Sequence, residues 1–273
     1  SSDVCSSDLR SSTSRRVSIG SGTTCGGASP ADAPVSFRPV TVSTVFFDAG
    51  ETLLHAEPTF AHLFARTLRA AGHDVTDGAL EERMHVIADR FSAAAAKGDR
   101  WTTTVLDSRR FWFETYAAVL EGLAIEPTDE LAESLYATFT DTGNYVAFPD
   151  VLPTLEALVA AGYRLGLISN FESWLERLLH DLDLARFFEV RVISGLEGVE
   201  KPEPEIFERA LARAGVGARE AAYVGDSPEF DVAPSSSLGM RAFLIDRRDR
   251  HDAGPGTKLA RLTDLPGALG PRR

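Results

Sequence analysis

The spacing of apolar residues changes twice along the chain, and each change predicts a different kind of structure. Val45–Phe47 is an unbroken apolar run that ends at Asp48, which predicts a short buried strand followed by a turn. Between residues 57 and 140 the apolar positions follow helical spacing, and no strand pattern interrupts them. The apolar faces of four predicted helices carry Phe60, Leu63, Phe64 and Leu68; Leu80, Met84, Ile87 and Phe91; Phe111, Phe113, Tyr116 and Leu120; and Leu131, Leu135 and Phe139.

From about Pro149 onward, strand patterns alternate with helical ones. The strand patterns are short and apolar, and they lie at residues 163–169, 188–193, 221–224 and 241–245. The helical patterns between them lie at residues 153–162, 175–182 and 203–214. This alternation predicts an α/β fold with a Rossmann-like, mostly parallel sheet and helices on both of its faces.

Two domains are therefore predicted in the folded part of the chain. The α/β core domain comprises residues 41–56 and 146–273, and an all-helical domain comprises residues 57–145. An insertion at the functional edge of a sheet commonly acts as a lid over the site.

Residues 1–40 have a different composition, rich in Ser, Gly, Thr and Pro with little apolar patterning. Such a segment cannot offset its ordering entropy by burial, so we expect a disordered tail. One hypothesis for Ser1–Leu9 is translation of sequencing-adaptor DNA joined to the coding sequence, and the tail is left out of the fold.

The charge balance limits the classes of partner. The 273 residues include 28 Lys and Arg against 40 Asp and Glu, a net charge of −12, which argues against nucleic-acid binding. No apolar run approaches the length of a membrane span. The only cysteines, Cys5 and Cys25, lie in the tail, which excludes a disulfide framework for the rest and fits a reducing cytoplasm. An acidic protein that binds an anion needs local help from a cation or from helix amino ends.

Four features fall at predicted strand ends or helix starts, where α/β sheets bind ligands. They are Asp48, Ser169-Asn170, Lys201-Pro202 and Gly225-Asp226 with Asp231. Each feature alone admits an ordinary interpretation as a helix cap, a turn residue or a solvated lysine. Their combination and order are far more specific than any one of them.

Together these residues resemble the haloacid dehalogenase-like hydrolase superfamily, over roughly Thr41 to the C-terminus. The resemblance implies Mg²⁺-dependent hydrolysis of a small phosphate ester through an aspartyl-phosphate on Asp48. It implies Mg²⁺ held by Asp48, the carbonyl of Gly50, Asp226 and Asp231, which are hard oxygen ligands. It also implies that Lys201 neutralises developing charge and that residues 57–145 form the family's helical cap.

Ser169 and nearby backbone N–H groups at a helix start are expected to hold phosphate oxygens. The predicted substrate-binding set is Ser169, Asn170, Lys201 and Glu51, and the predicted catalytic set is Asp48, Ser169 and Lys201. The expected substrate is a small phosphorylated or other anionic metabolite, and the chain is expected to be a monomer or a homodimer.

The first motif departs from the pattern of the family's phosphatases, which carry a second Asp where this chain has Gly50. Glycine keeps the carbonyl for metal but removes the general acid and base, a group that supplies about 10²–10⁴-fold in rate. Glu51 is a candidate substitute, although neighbouring residues in a turn point in different directions. A non-catalytic protein that retains metal and anion binding is therefore an alternative.

A second alternative is cleavage of a C–P or C–X bond. Phosphonate hydrolases of the superfamily use a cap lysine, and Lys97 is the only lysine in residues 57–140, although a solvated helix end is its simpler interpretation. The 2-haloacid dehalogenases have a fourth motif that is not built for metal, so Asp226 and Asp231 argue against them.

Two stretches of the helical region, Arg100-Trp101 and Arg109-Arg110-Phe111-Trp112, are candidate substrate contacts. Arginine could clamp an anionic substrate through two parallel hydrogen bonds. The simpler interpretation has solvated arginines beside aromatic residues that pack between helices.

Overall fold

The computed structural model describes residues 41–252 and 254–270, and the predicted disordered tail lies outside this part of the chain. A sheet of six parallel strands runs through it in the spatial order β5-β4-β1-β6-β7-β8. The strands are β1 (Thr44–Phe47), β4 (Arg164–Ser169), β5 (Val190–Ile193), β6 (Ala221–Gly225), β7 (Arg241–Ile245) and β8 (Thr257–Leu259). This order is that of a doubly wound Rossmann-like sheet, whose crevice opens where the winding reverses, between β1 and β6.

Both faces of the sheet are covered, which confirms the predicted architecture. Val45 and Phe47 of β1 belong to one apolar cluster, whereas Phe46 between them belongs to another on the opposite face. This alternation follows from the two-residue period of a strand. In the described residues after 150 the α-helices are α6 (Val151–Ala160), α7 (Leu175–Asp181), α8 (Ser194–Glu197), α9 (Pro204–Ala214), α10 (Ala233–Ser237) and α11 (Leu265–Leu269). The first cluster includes leucines of α6, α7 and α11, and the second includes Ile206 and Phe207 of α9.

Five α-helices lie between residues 57 and 141, and we call them the helical insertion. They are α1 (Phe60–Ala70), α2 (Asp77–Glu81), α3 (Met84–Lys97), α4 (Val105–Gly122) and α5 (Asp129–Thr140). Their buried residues form a separate apolar cluster around Phe64, Tyr116 and Leu135. The insertion therefore has a core of its own.

Threonines begin four of these helices. The hydroxyls of Thr59, Thr76, Thr104 and Thr128 each accept a hydrogen bond from the backbone N–H three residues later. A threonine at this position satisfies one of the backbone donors that a helix start leaves unpaired. The second predicted helix is in fact two, because the chain turns between α2 and α3, where His85 Nδ1 lies 2.8 Å from the carbonyl oxygen of Glu82.

A short antiparallel ribbon carries the chain into and out of the helical insertion. Its strands are β2 (Leu54–Ala56) and β3 (Tyr145–Ala147), with Leu54 paired to Ala147 and Ala56 to Tyr145. The sequence patterns predicted neither strand, nor β8, because three residues are too few to show a strand period. The predicted domain boundaries at residues 57 and 145 fall at the end of this ribbon.

Candidate active site

The carboxyl ends of three parallel strands carry the predicted site residues. Asp48 directly follows β1, Ser169 ends β4, and Asp226 directly follows β6. Lys201 lies just before α9 and reaches the same edge. The structure therefore brings together side chains that are up to 178 residues apart in the sequence (226 − 48 = 178).

A buried lysine joins two of the carboxylates. Lys201 Nζ lies 2.7 Å from Asp48 Oδ1 and 2.6 Å from Asp231 Oδ1, and it donates to the hydroxyl of Tyr223 at 3.1 Å. Tyr223 in turn donates to the carbonyl of Ile168. The sequence analysis missed Tyr223, because a tyrosine within a buried strand pattern gives no sign of where its hydroxyl points.

The charges at this edge do not balance without a further cation. Burial lowers the pKa of Lys201, but Asp231 and Asp48 more than reverse this, so its pKa lies above the ordinary value and the ammonium stays charged. Burial raises the pKa of Asp48, an effect that Lys201 opposes. Burial together with Asp231 and Asp48 raises the pKa of Asp226 well above its usual range. Three carboxyl groups thus share a single ammonium.

The same three carboxyl groups fit a metal ion. One oxygen from each of Asp48, Asp226 and Asp231 lies within 4.8 Å of the other two. A cluster of hard carboxylate oxygens at the mouth of a crevice is typical of Mg²⁺ sites that also bind phosphate. Gly50, the fourth predicted ligand, lines the same cavity as Asp48 and Asp226.

The glycine before Asp226 has a steric reason. A Cβ atom at Gly225 would lie 2.2 Å from Cγ of Asp231, closer than real contacts allow. Asp231 occupies this space because its carboxylate accepts from the backbone N–H of Ser227 and contacts Lys201. The glycine at position 225 is therefore explained by the close approach of the Asp231 side chain to the backbone just before Asp226.

Ser169 and Asn170 contact other site residues. Ser169 Oγ donates to Asp48 Oδ1 at 3.0 Å. Both polar atoms of the Asn170 amide engage the main chain of Lys201: Nδ2 donates to the carbonyl at 2.7 Å, and Oδ1 accepts from the N–H at 2.6 Å. The predicted role of Asn170 in substrate binding stays a prediction, and its side chain holds Lys201 in position.

The turn after Asp48 leaves room where the family's second Asp would stand. A Cβ atom at Gly50 would have no neighbour within 4 Å. Glu51 is exposed, lines the cavity, and has a left-handed backbone with φ of 53°. Such a conformation costs energy for a residue other than glycine, and it is often found at functional sites.

Two buried glutamates connect the sheet edge to the helical insertion, and neither was predicted. Glu172 accepts from Ser108 Oγ at 2.6 Å and from the Tyr136 hydroxyl at 2.7 Å. Glu200 accepts from the backbone N–H of Thr102 at 2.8 Å and from its hydroxyl at 2.6 Å. Their positions, two residues after Asn170 and one before Lys201, were the only signal in the sequence.

The arginines considered as substrate contacts are engaged elsewhere. Arg100 makes two hydrogen bonds to Glu203, each of 2.7 Å, while Arg109 pairs with Glu133 and Arg110 with Asp107. None of the three lines the cavity at Asp48 within the described residues. Lys97 is exposed at the end of α3 and also lies outside that lining. These positions support the simpler interpretation of Lys97 and the three arginines, whereas Trp101 and Trp112 of the same candidate stretches do line the cavity.

The fold is that of a Rossmann-like α/β protein with an acidic candidate site at the carboxyl edge of its parallel sheet. A model of the haloacid dehalogenase-like hydrolase family matches residues 42–239, more than half of the chain, and the protein belongs to that family. Within the described residues, no helix combines the length and the hydropathy that crossing a membrane requires.

The chain is similar to two curated proteins and to a solved phosphatase structure. Haloacid dehalogenase-like hydrolase domain-containing protein 3 of Danio rerio is 30% identical over 237 residues, which are 84% of this chain and 97% of the relative. Phosphoserine phosphatase of Thermus thermophilus is 34% identical over 182 residues, 64% of this chain and 72% of the relative. The crystal structure of a HAD phosphatase from Thermococcus onnurineus superimposes with a TM-score of 0.56 at 25% identity, covering 85% of this chain and 100% of that one.

Proposed function

We propose that the protein is a Mg²⁺-dependent phosphatase that hydrolyses a small phosphate ester through an aspartyl-phosphate on Asp48. The observation that carries the proposal is the convergence of Asp48, Asp226 and Asp231 around one another and around Lys201. Bound Mg²⁺ would supply positive charge that lets these carboxylates accept an anionic phosphate.

In this mechanism an oxygen of Asp48 attacks phosphorus, and the bond to the leaving oxygen breaks. Lys201, held by Asp231 and Tyr223, favours the carboxylate form of Asp48 and would offset charge on the phosphoryl oxygens. Ser169, already within hydrogen-bond distance of Asp48, would bind one of these oxygens. Water then attacks phosphorus, the bond to Asp48 breaks, and inorganic phosphate leaves.

We expect protonation of the leaving oxygen to be slow, because Gly50 offers no side chain that could donate the proton. Glu51 lies on the same turn and lines the cavity, so it is the nearest candidate for this work. Without such a group a rate deficit of about 10²–10⁴-fold is expected. We therefore expect slow turnover.

We also propose that residues 57–145 act as a cap domain over a core of residues 41–56 and 146–273. The separate apolar cluster of the insertion supports this division. So do the two buried glutamates, Glu172 and Glu200, which fix the insertion above the sheet edge.

The proposal is tested with a panel of phosphorylated metabolites in the presence and absence of Mg²⁺. We expect release of phosphate from at least one ester, dependent on Mg²⁺ and abolished in Asp48→Asn. The proposal would be contradicted if Asp48→Asn still released phosphate, or if the wild type released phosphate from none of the esters.

Gly50 specifically favours a second candidate, a protein that binds metal and phosphate without turnover. Gly50→Asp distinguishes the two, and the open space at this position lets the new side chain fit. If only the acid is missing, Gly50→Asp gains about 10²–10⁴-fold in phosphatase rate. Gly267→Asp is a matched control, since a Cβ atom there also has no neighbour within 4 Å and the residue lies in α11.

A further inference from the structure

A large cavity extends from Asp48 into the helical insertion, and aromatic rings form much of its lining. Its volume is about 730 Å³, well beyond what a phosphate group fills. Six of the lining rings form a continuous series, which we call the aromatic wall: Phe139, Phe60, Trp112, Phe91, Trp101 and Phe230. Successive ring centroids in this series are 3.9, 6.3, 5.7, 5.7 and 5.6 Å apart.

The aromatic wall joins the two parts of the molecule. Phe60, Trp112 and Phe139 belong to helices of the insertion, whereas Phe230 follows Asp226 in the fourth motif. Trp101 and Phe230 meet edge to face, and both line the cavity. A molecule bound at Asp48 would therefore have its distal part against these rings.

Cations are scarce along the same lining. None of the described lining residues contributed by the helical insertion is a lysine or an arginine. Lys201 is engaged by Asp48 and Asp231, and the remaining basic residues, Arg250 and His251, are exposed. The carboxylate of Glu172 is buried within the lining. A second anionic group on the substrate would find no partner at the wall and would be repelled by Glu172.

We propose that the preferred substrate is a phosphate monoester whose leaving group is a flat, uncharged, aromatic alcohol. Such a ring can stack on the wall and removes apolar surface from water, which a small polyol or an amino acid cannot do. The inference rests on the proposed phosphatase function and names its substrate class. It sets this chain apart from a phosphatase of phosphoserine, whose leaving group carries a carboxylate and an ammonium.

Binding to the Asp48→Asn variant with Mg²⁺, measured by isothermal titration calorimetry, tests the proposal. The probes are phenyl phosphate, inorganic phosphate and phosphoserine. We expect phenyl phosphate to bind at least about tenfold more tightly than either of the others, since one stacked and buried ring accounts for such a factor. Equal affinity for phenyl phosphate and inorganic phosphate, or tighter binding of phosphoserine, would overturn the proposal.

Two substitutions on α4 test whether the affinity for phenyl phosphate depends on the aromatic wall. Trp112→Leu removes a ring of the wall, whereas Phe113→Leu alters the next residue, which contacts Tyr136 and lies outside the lining. In the Asp48→Asn background, Trp112→Leu should lower the affinity for phenyl phosphate several-fold and leave that for inorganic phosphate unchanged. Phe113→Leu should change neither. Equal losses in both variants would assign the effect to general destabilisation and overturn the proposal.

Binding of 2-naphthol to the wild-type protein separates this inference from the phosphatase function. If 2-naphthol binds, and Trp112→Leu weakens it, while no phosphate binds, the aromatic preference holds and the phosphatase proposal fails. If inorganic phosphate binds but neither aromatic probe gains from the wall, the phosphatase function stands and the aromatic preference fails. If nothing binds, both fail.

Discussion

The sheet edge around Asp48 and the helical insertion above it use opposite means to shape one cavity. At the sheet edge, charged and polar groups hold one another at hydrogen-bond distances, as Lys201 does with Asp48 and Asp231. On the insertion side, rings such as Phe60 and Trp112 supply broad apolar surface. In our proposals, the first arrangement positions atoms for the reaction, and the second selects the substrate by shape and polarity. The contrast teaches that chemistry and selectivity can be encoded separately in one chain.

The largest effect is expected from removing the cation of the sheet edge. Lys201→Met leaves the buried carboxylates of Asp48 and Asp231 without their ammonium, which should cost about 3–5 kcal/mol of unfolding free energy. Any Asp48-dependent phosphatase rate should fall by about 10²-fold or more. Urea unfolding and the phosphate-release assay measure the two effects.

The metal proposal adds a further expectation to this variant. Mg²⁺ bound by the same carboxylates should reduce the stability deficit of Lys201→Met. Lys97→Met, at the exposed end of α3, is the matched control and should behave as the wild type does. A Lys201→Met protein with normal stability and normal turnover would show that the sheet edge does not depend on its charges.

An effect of intermediate size on the free energy of unfolding is expected from replacing one glycine by alanine in each of the two regions. Gly225→Ala places a Cβ atom 2.2 Å from Asp231 Cγ in the tightly filled sheet edge, and it should destabilise by about 1–3 kcal/mol. Gly78→Ala, in α2 of the insertion, meets nothing within 4 Å and should stabilise by about 0.5–1 kcal/mol through helix propensity. Urea unfolding of both variants checks this, and equal changes would contradict the contrast between the regions.

The same contrast explains which features the sequence could predict. The strand at Val45–Phe47, the alternation after Pro149 and the helical region follow from local periodicity, so the fold class could be predicted. The residues that meet at the sheet edge could be predicted because Asp48 and Asp226 each follow a predicted strand and Lys201 lies at the start of a predicted helix.

The remaining features depend on contacts between distant segments. The hydroxyl of Tyr223 reaches Lys201 only because β6 lies beside β1, and no local pattern reports this. In the sequence, Glu172 and Glu200 have the pattern of exposed acidic residues. In the structure both are buried, because the insertion packs against them. Trp112 was a candidate substrate contact whose simpler interpretation was packing between helices; it does contact Phe60, and it also lines the cavity. Aromatic residues that pack between helices and aromatic residues that line a cavity have the same spacing along the sequence, so the sequence does not distinguish the two roles.

The smallest expected effect concerns pH at the junction of the two regions. Burial raises the pKa of Glu200, and this outweighs the hydrogen bonds from Thr102 and Trp101, which lower it. Since the folded-state pKa lies above the unfolded one, the contribution to stability is full below the unfolded pKa and is lost as the pH rises through the folded value. Glu200→Gln cannot titrate, so the stability of the wild type relative to this variant should decline as the pH rises from about 4 towards neutrality.

Urea unfolding of the wild type and Glu200→Gln across this range measures the difference, in which titrations common to both proteins cancel. Glu208→Gln, an exposed position of α9, provides the background. A difference that is independent of pH, or that grows in favour of the wild type, would show that the carboxylate of Glu200 is not disfavoured by burial.

The pairing of Ala56 with Tyr145 in the β2–β3 ribbon has an evolutionary consequence. The chain leaves the sheet and returns to it at adjacent points, so the segment between them can lengthen, shorten or be exchanged without moving Asp48 relative to Asp226. The entropy of closing such a segment changes by only about 0.6 kcal/mol for each doubling of its length. The carboxylate cluster can thus stay in place while changes in the segment between β2 and β3 alter the lining of the cavity above it.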